Sequence, residues 1–317
     1  MIGGLFALAA ATILFASTDA FPALVLARAL QGIAAATSWT AGLALIAAVY
    51  PANERGRPFG LALLASAVGI LLGPAIGGLL ADYIGVHAPF VLAAIVAVAD
   101  SIARMVLIPR LGIHPAANGL VAVWRHRLTG LLFGLTALGA GLLAFLEPIA
   151  PLHVSRVFSG SSSTIGLLFA AAVLGGAFVA PLGGQYANKV LQGKMAAAGA
   201  LAAATGLLVI SLAHSLWLFG CGLILVTIGA QLVLVPTLAL IATIADTQSP
   251  PAYGAAYALF SIAYTTGLMI APLLAAVGSS ILPFSGIVLA AAGVTAGLAI
   301  LSFAGRSAST SATLARE

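Results

Sequence analysis

Residues 69–78 read GILLGPAIGG. Four of these ten positions are glycine and one is proline, inside a run that is otherwise apolar and helical in pattern. In a water-soluble helix each such Gly costs about 1 kcal/mol relative to Ala, and an interior Pro about 3. Lipid changes that judgement. Gly69, Gly73 and Gly77 recur every fourth residue, so they form a flat strip on one helical face where two backbones can approach closely. Pro74 adds a kink that neighbouring helices can accommodate. The stretch is expected to be a transmembrane packing or sliding face, and the spacing alone fits either use.

Composition supports a lipid surroundings for the whole chain. Of its 317 residues 62% are hydrophobic and 6% charged, against about 25% charged in a soluble domain. Too few polar groups exist to cover a water-facing surface. The formal charge of +5 is small for this length and contains no basic block, so nucleic acid is set aside as a partner. Cys221 is the single cysteine, which excludes an internal disulfide, and it is expected to be inert packing. His87, His114, His126, His153 and His214 are scattered at span ends and loops, with no metal-ligand spacing. No Ser/His/Asp grouping and no Gly-Lys-Ser/Thr phosphate loop occurs, so neither a hydrolase nor an ATP-driven pump is expected. No cofactor is implied.

A membrane helix needs about 20 apolar residues. Ten segments qualify: 2–17, 22–49, 58–81, 87–108, 129–151, 163–183, 194–213, 216–243, 253–277 and 283–304. Residues 1–20 carry no basic residue after the start and no clean A-x-A site, so they are read as a span rather than a leader. The longest polar connection divides the chain into an N-terminal bundle of four helices (1–109), a loop (110–127), a C-terminal bundle of six (128–305) and a tail (306–317). Cations gather in cytoplasmic loops. Arg55, Arg57, Arg110, Arg125, Arg127, Lys189, Lys194, Arg306 and Arg316 all fall on one side of this alternation, and only Arg156 lies on the other. The C-terminus is therefore expected in the cytoplasm, in a plasma membrane or an endomembrane.

The chain also repeats internally. At an offset of 198 residues Gly69–Pro74 aligns with Gly267–Pro272, Leu61 with Leu259, Ala65 with Ala263 and Phe59 with Tyr257. The third span thus matches the ninth, six helices later. A six-helix repeat with a long loop between halves is a known transporter arrangement.

Gly69-x-x-x-Gly73-Pro74-x-x-Gly77-Gly78 resembles the antiporter motif in helix five of the major facilitator superfamily. Arg28-x-x-Gln31-Gly32 resembles that superfamily's helix-four motif. Phe145-Leu-Glu147-Pro148-Ile-Ala-Pro151, Ala88-Pro89-Phe90 followed by Asp100, and Tyr253-Gly254 are similar to helices seven, six and eleven of vesicular amine transporters and their drug-efflux relatives. The resemblance implies an all-α polytopic membrane protein with helices three to twelve of twelve, helices one and two having no counterpart here. It implies a monomeric proton-coupled antiporter that exports small amphipathic organic solutes, with the proton as coupling ion. Gly184–Lys189 looks like a degenerate copy of the family's loop motif. In helix ten the amine transporters carry an acid, whereas the matching Gly229-Ala230-Gln231-Leu232 has none.

Candidate residues follow. Glu147 lies in an apolar span with no cation within a helical turn, and a carboxyl that takes and releases a proton is what coupled exchange requires. A carboxylate at the outer interface is the plainer reading, because Pro148 and Pro151 end the helix there. Arg28 would tune a nearby acid or snorkel to the interface, and Gln31 lies one turn on, within reach of it. Asp100 and Arg104 are spaced to pair on one face; a proton relay through Asp100 is the alternative. Gln31, Trp39, Tyr257, Tyr264 and Gln231 are candidates for a solute cavity, with Pro236 expected to break the helix near Gln231. A non-transporting membrane protein of the same fold, from a truncated paralogue or an incomplete gene model, remains the second reading.

Overall fold

The computed structural model describes residues 1–107, 119–185 and 189–314. Arg110, Arg316, the first half of the 110–127 loop (110–118) and residues 186–188 of the degenerate loop motif lie outside the described residues. The chain is all-helical among those described: α1 (Ile2–Ala16), α2 (Phe21–Val49), α3 (Gly56–Tyr83), α4 (Ala88–Leu107), α5 (Gly119–Arg125), α6 (Thr129–Ala144), α7 (Ala150–Val157), α8 (Ser162–Gln185), α9 (Lys189–Ser211), α10 (Leu216–Asp246), α11 (Tyr253–Ser279) and α12 (Phe284–Leu314). Each of the ten expected spans is met by a helix, the shortest being α1 with 15 residues and α6 with 16, and α5 and α7 are short helices flanking α6. Among the described residues seven helices are long and apolar enough to cross a membrane, and α5 with α6, bent by 90°, forms an eighth candidate. The protein is a multi-pass integral membrane protein.

Lipid explains the distribution of side chains. Large apolar residues such as Ile33, Val106, Leu167 and Trp217 point outward, where bilayer tails are as apolar as they are. The interior is filled largely by small residues. Ala27, Ala140, Ala200 and Ala263 are fully buried. Cys221 is exposed rather than packed.

Within the N-terminal part α1 packs on both α2 and α4. The C-terminal part is organised around α10, which touches α6, α8, α9 and α11. Two helices cross between the parts. α2 lies along α11, and α3 lies chiefly against α8 and α10, with lesser contact to α2 and α4.

Two details differ from the sequence reading. Pro236 does not break its helix, since α10 runs unbroken through it; neighbouring groups in a membrane helix can re-satisfy the freed backbone carbonyl. The fifth span, in contrast, stops at Ala144 and resumes as α7 at Ala150. Pro148 has no N–H to donate and its ring clashes with the preceding turn, whereas Pro151 sits in the first turn of α7, where proline is favoured. Glu147 consequently stands in the break, not on a helix.

The glycine strip also behaves unexpectedly. A Cβ added at Gly69, Gly73 or Gly78 would meet nothing within 4 Å, and at Gly77 only the Pro89 ring at 3.9 Å. Close backbone contact occurs elsewhere. A Cβ at Gly60 would stand 2.5 Å from the Ala180 carbonyl, where α3 crosses α8, and one at Gly267 would stand 2.1 Å from the Ala137 carbonyl, where α11 crosses α6. Gly267→Ala is therefore expected to destabilise the fold by about 1–3 kcal/mol, the usual cost of overpacking. Gly69→Ala should stay within about 0.5 kcal/mol of the parent. Thermal unfolding of both variants in detergent checks the contrast; equal losses would show that the strip is packed after all.

Candidate functional site

A cavity of about 350 Å³ lies where α3 meets the C-terminal helices. Its walls are mainly aliphatic, with Ile70 of α3, Phe169 of α8 and Leu223 of α10 among them. The polar groups are few: Ser66 of α3, Glu147 of the α6–α7 break, Thr227 and Gln231 of α10, and Tyr264 of α11. Such a lining, apolar with sparse polar anchors, is the chemistry of small-molecule sites. A second, larger cavity of about 440 Å³ between α6, α11 and α12 is lined by apolar residues and two threonines, Thr266 and Thr295, and carries no titratable side chain. It offers nothing for a polar solute or a proton.

Three sequence candidates thus meet in one place. The interruption of the helix leaves Glu147 lining the cavity, and among the described residues no hydrogen bond or ion pair engages its carboxyl. Gln231 is 7% exposed, and its Oε1 has no partner among the described residues. The Thr227 hydroxyl donates to the carbonyl of Ala172 (2.5 Å) or Ile224 (2.9 Å) in its own surroundings. Tyr264 stacks on Phe260 with ring centroids 6.1 Å apart.

The other candidates go elsewhere. Arg28 stacks over Phe15, 4.3 Å from the ring centroid, and donates to Gln31 Oε1 at 3.2 Å. Gln31 in turn donates to Thr12 Oγ1 at 3.0 Å. This chain of contacts ties α1 to α2 and is not part of the cavity lining. Asp100 accepts from Arg104 Nε at 2.8 Å, the pairing expected from their spacing, and also lies away from the cavity. Tyr257 is buried and donates to the Leu238 carbonyl at 3.0 Å. Trp39 packs with Tyr264 on the core beside Tyr257, next to a hydrogen bond between Thr40 and Ser261 across α2 and α11 (3.0 Å).

One cluster was not foreseen. Arg55, 5% exposed, donates from Nη1 to Asp246 Oδ2 at 2.6 Å and from Nη2 to Oδ1 at 3.2 Å. The same Nη2 donates to the Tyr253 hydroxyl at 2.9 Å, and Nε donates to the Tyr50 carbonyl at 2.9 Å. Tyr253 completes the triangle by donating to Asp246 Oδ1. Burial opposes the charged guanidinium, but the hydrogen bonds and charge of Asp246, with Tyr253, outweigh it and hold Arg55 above its ordinary value. The cluster ties the α2–α3 turn to the α10–α11 turn. Read from the sequence, Arg55 was only one loop cation among several. A signal did exist in the repeat: Arg55 and Tyr253 are 198 residues apart, the offset of the internal repeat. Phe59 and Tyr257 share that offset and touch, with ring centroids 5.6 Å apart. Repeat-equivalent residues contact each other where they lie on the axis relating the two halves.

Comparison with known proteins places this architecture. The model of the Major Facilitator Superfamily matches residues 1–247 and again 129–316. The chromaffin granule amine transporter of Rattus norvegicus is 27% identical over 270 residues, which is 82% of this chain and 51% of that protein. The vesicular acetylcholine transporter of Rattus norvegicus is 29% identical over 289 residues, or 86% and 53% respectively. The chain spans about half the length of these relatives. The crystal structure of the human organic anion transporter MFSD10 (TETRAN) shares the fold, with a TM-score of 0.74 over 95% of this chain and 75% of that one at 21% identity. With the family model matching on both halves, and its fold and relatives those of transporters rather than enzymes, the chain belongs to the Major Facilitator Superfamily.

Proposed function

We propose that the protein is a secondary active transporter: a proton-coupled antiporter that exports small amphipathic organic solutes or drugs by alternating access. The observation that carries this reading is Glu147, an unpaired carboxyl open to the cavity at a break in its helix. Proton and cationic solute would compete for it. The Arg55–Asp246–Tyr253 cluster would close the cytoplasmic side, where the positive-inside bias puts the α2–α3 and α10–α11 turns. Rocking of the two parts about the cavity would open this latch and seal the opposite side. The protein would act as a monomer in a plasma membrane or an endomembrane, with a cytoplasmic C-terminus. Arg28, Gln31 and Asp100 would then shape the α1–α2–α4 wall, outside the proton path.

The test is transport by the purified chain in proteoliposomes. An acid-inside pH gradient should drive accumulation of an aromatic monoamine such as tyramine above that of protein-free liposomes under the same gradient, and nigericin should abolish that excess. Accumulation indifferent to nigericin would overturn proton coupling. A second reading, a non-transporting member of the family, accords with the open space that an added Cβ would meet at Gly69, Gly73 and Gly78 of α3 among the described residues. No accumulation under any gradient would support it.

A further inference from the structure

Resting on the transporter reading, we propose that the Gln231 amide is a specificity determinant that makes the cavity prefer cargo with an N–H donor on its cationic nitrogen, a protonated amine over a quaternary ammonium. Every polar group placed at the cavity by α10 and the α6–α7 break has acceptor capacity to offer. Gln231 Oε1 is buried without a donor. The hydroxyl proton of Thr227 is already given to a backbone carbonyl, leaving its oxygen as an acceptor. The Glu147 carboxyl, once deprotonated, accepts and carries a negative charge. No Lys, Arg or His is among the described lining residues, and these offer an anionic cargo no counter-charge.

A buried acceptor left unmet is costly, and a solute that supplies its donor recovers that cost on binding. An amide turns easily about its last side-chain bond, whose energy profile is broad, so Oε1 can be offered to a solute. A trimethylated nitrogen has the same charge but no proton to donate, and leaves Gln231 as it was. Quaternary ammonium groups are instead held by cages of aromatic rings. This cavity offers two rings, Phe169 and Tyr264, among aliphatic walls, and the chemistry favours the hydrogen-bonded nitrogen. The acid that amine transporters carry in the matching helix would add charge here; the amide adds a direction without charge.

The experiment compares tyramine with its N,N,N-trimethyl derivative, which share ring and charge, on the full chain in lipid nanodiscs by radioligand binding. The parent chain should bind tyramine about tenfold or more tightly than the trimethyl compound, the scale of one hydrogen bond to a buried group. Gln231→Leu should bring the two to within about twofold, mainly by weakening tyramine. The parent ratio is read without any variant, so misfolding of Gln231→Leu cannot obscure it. Equal binding of both compounds, with proton-driven uptake intact, overturns this proposal and leaves the transporter reading standing. Absence of binding and of proton-driven uptake for both overturns the transporter reading and this proposal with it.

Discussion

Glu147→Gln is expected to lower pH-driven tyramine accumulation by on the order of 100-fold, the scale lost when a positioned proton-transfer group is removed. The substitution keeps the size of the side chain and its hydrogen-bonding capacity but removes titration. Glu147 is the one carboxyl among the described lining residues of the cavity, so no neighbour can substitute for it there. The diagnostic readout is exchange of labelled for unlabelled tyramine across the membrane with no gradient. That exchange needs the cavity to alternate but needs no net proton movement, and it should persist with its pH dependence flattened. If accumulation survives, the proton travels by another route, and Asp100 becomes the next residue to test. If gradient-driven accumulation and exchange are lost together while the protein stays folded and still binds tyramine, Glu147 is a structural group and not the coupling site.

Arg55→Leu should shift the protein toward the form open at its cytoplasmic face. Removing one partner of a buried ion pair costs about 3–5 kcal/mol. Asp246 here keeps 32% of its side-chain exposure, so water relieves part of the loss, and about 2 kcal/mol is the reasonable scale. That is a change of about 30-fold in a two-state ratio. Arg55→Lys should recover only part, because an ammonium cannot reach both Asp246 oxygens and Tyr253 in one planar fork. Distances between spin labels on the two turns read the population directly. Cys221 is exposed and must be replaced before labelling. A distance distribution unchanged in Arg55→Leu would show that the cluster does not hold the gate.

The spans could be read from the sequence because hydropathy is a property of a window, and lipid imposes the same demand on every window it contains. The break at Glu147 was half legible: Pro148 and Pro151 announced an end to the helix, but not that the chain would resume at Ala150. Pro236 gave the same local signal and proved silent, since α10 is packed on several sides and holds its course. Arg28 shows the other limit. Its motif pointed to coupling and Gln31 was legible one turn on, but the ring that Arg28 lies over, Phe15 of α1, is a matter of which helix lies alongside, and no window contains that. Gln231 and Glu147 were each singled out, yet their meeting in one cavity depends on how α10 faces the break.

The contacts between repeat-equivalent residues have a consequence for ancestry. Where a two-fold axis passes through an interface, each residue near it meets its own copy. Two separate, identical half-chains would have faced each other through this patch, with the same side chain on both sides. Arginine against arginine at the position of Arg55 and Tyr253 would repel. A single continuous polypeptide escapes that restriction, because its two copies can drift apart in identity. Arg55 against Tyr253, and Phe59 against Tyr257, are pairings open to a fused gene and closed to a homodimer.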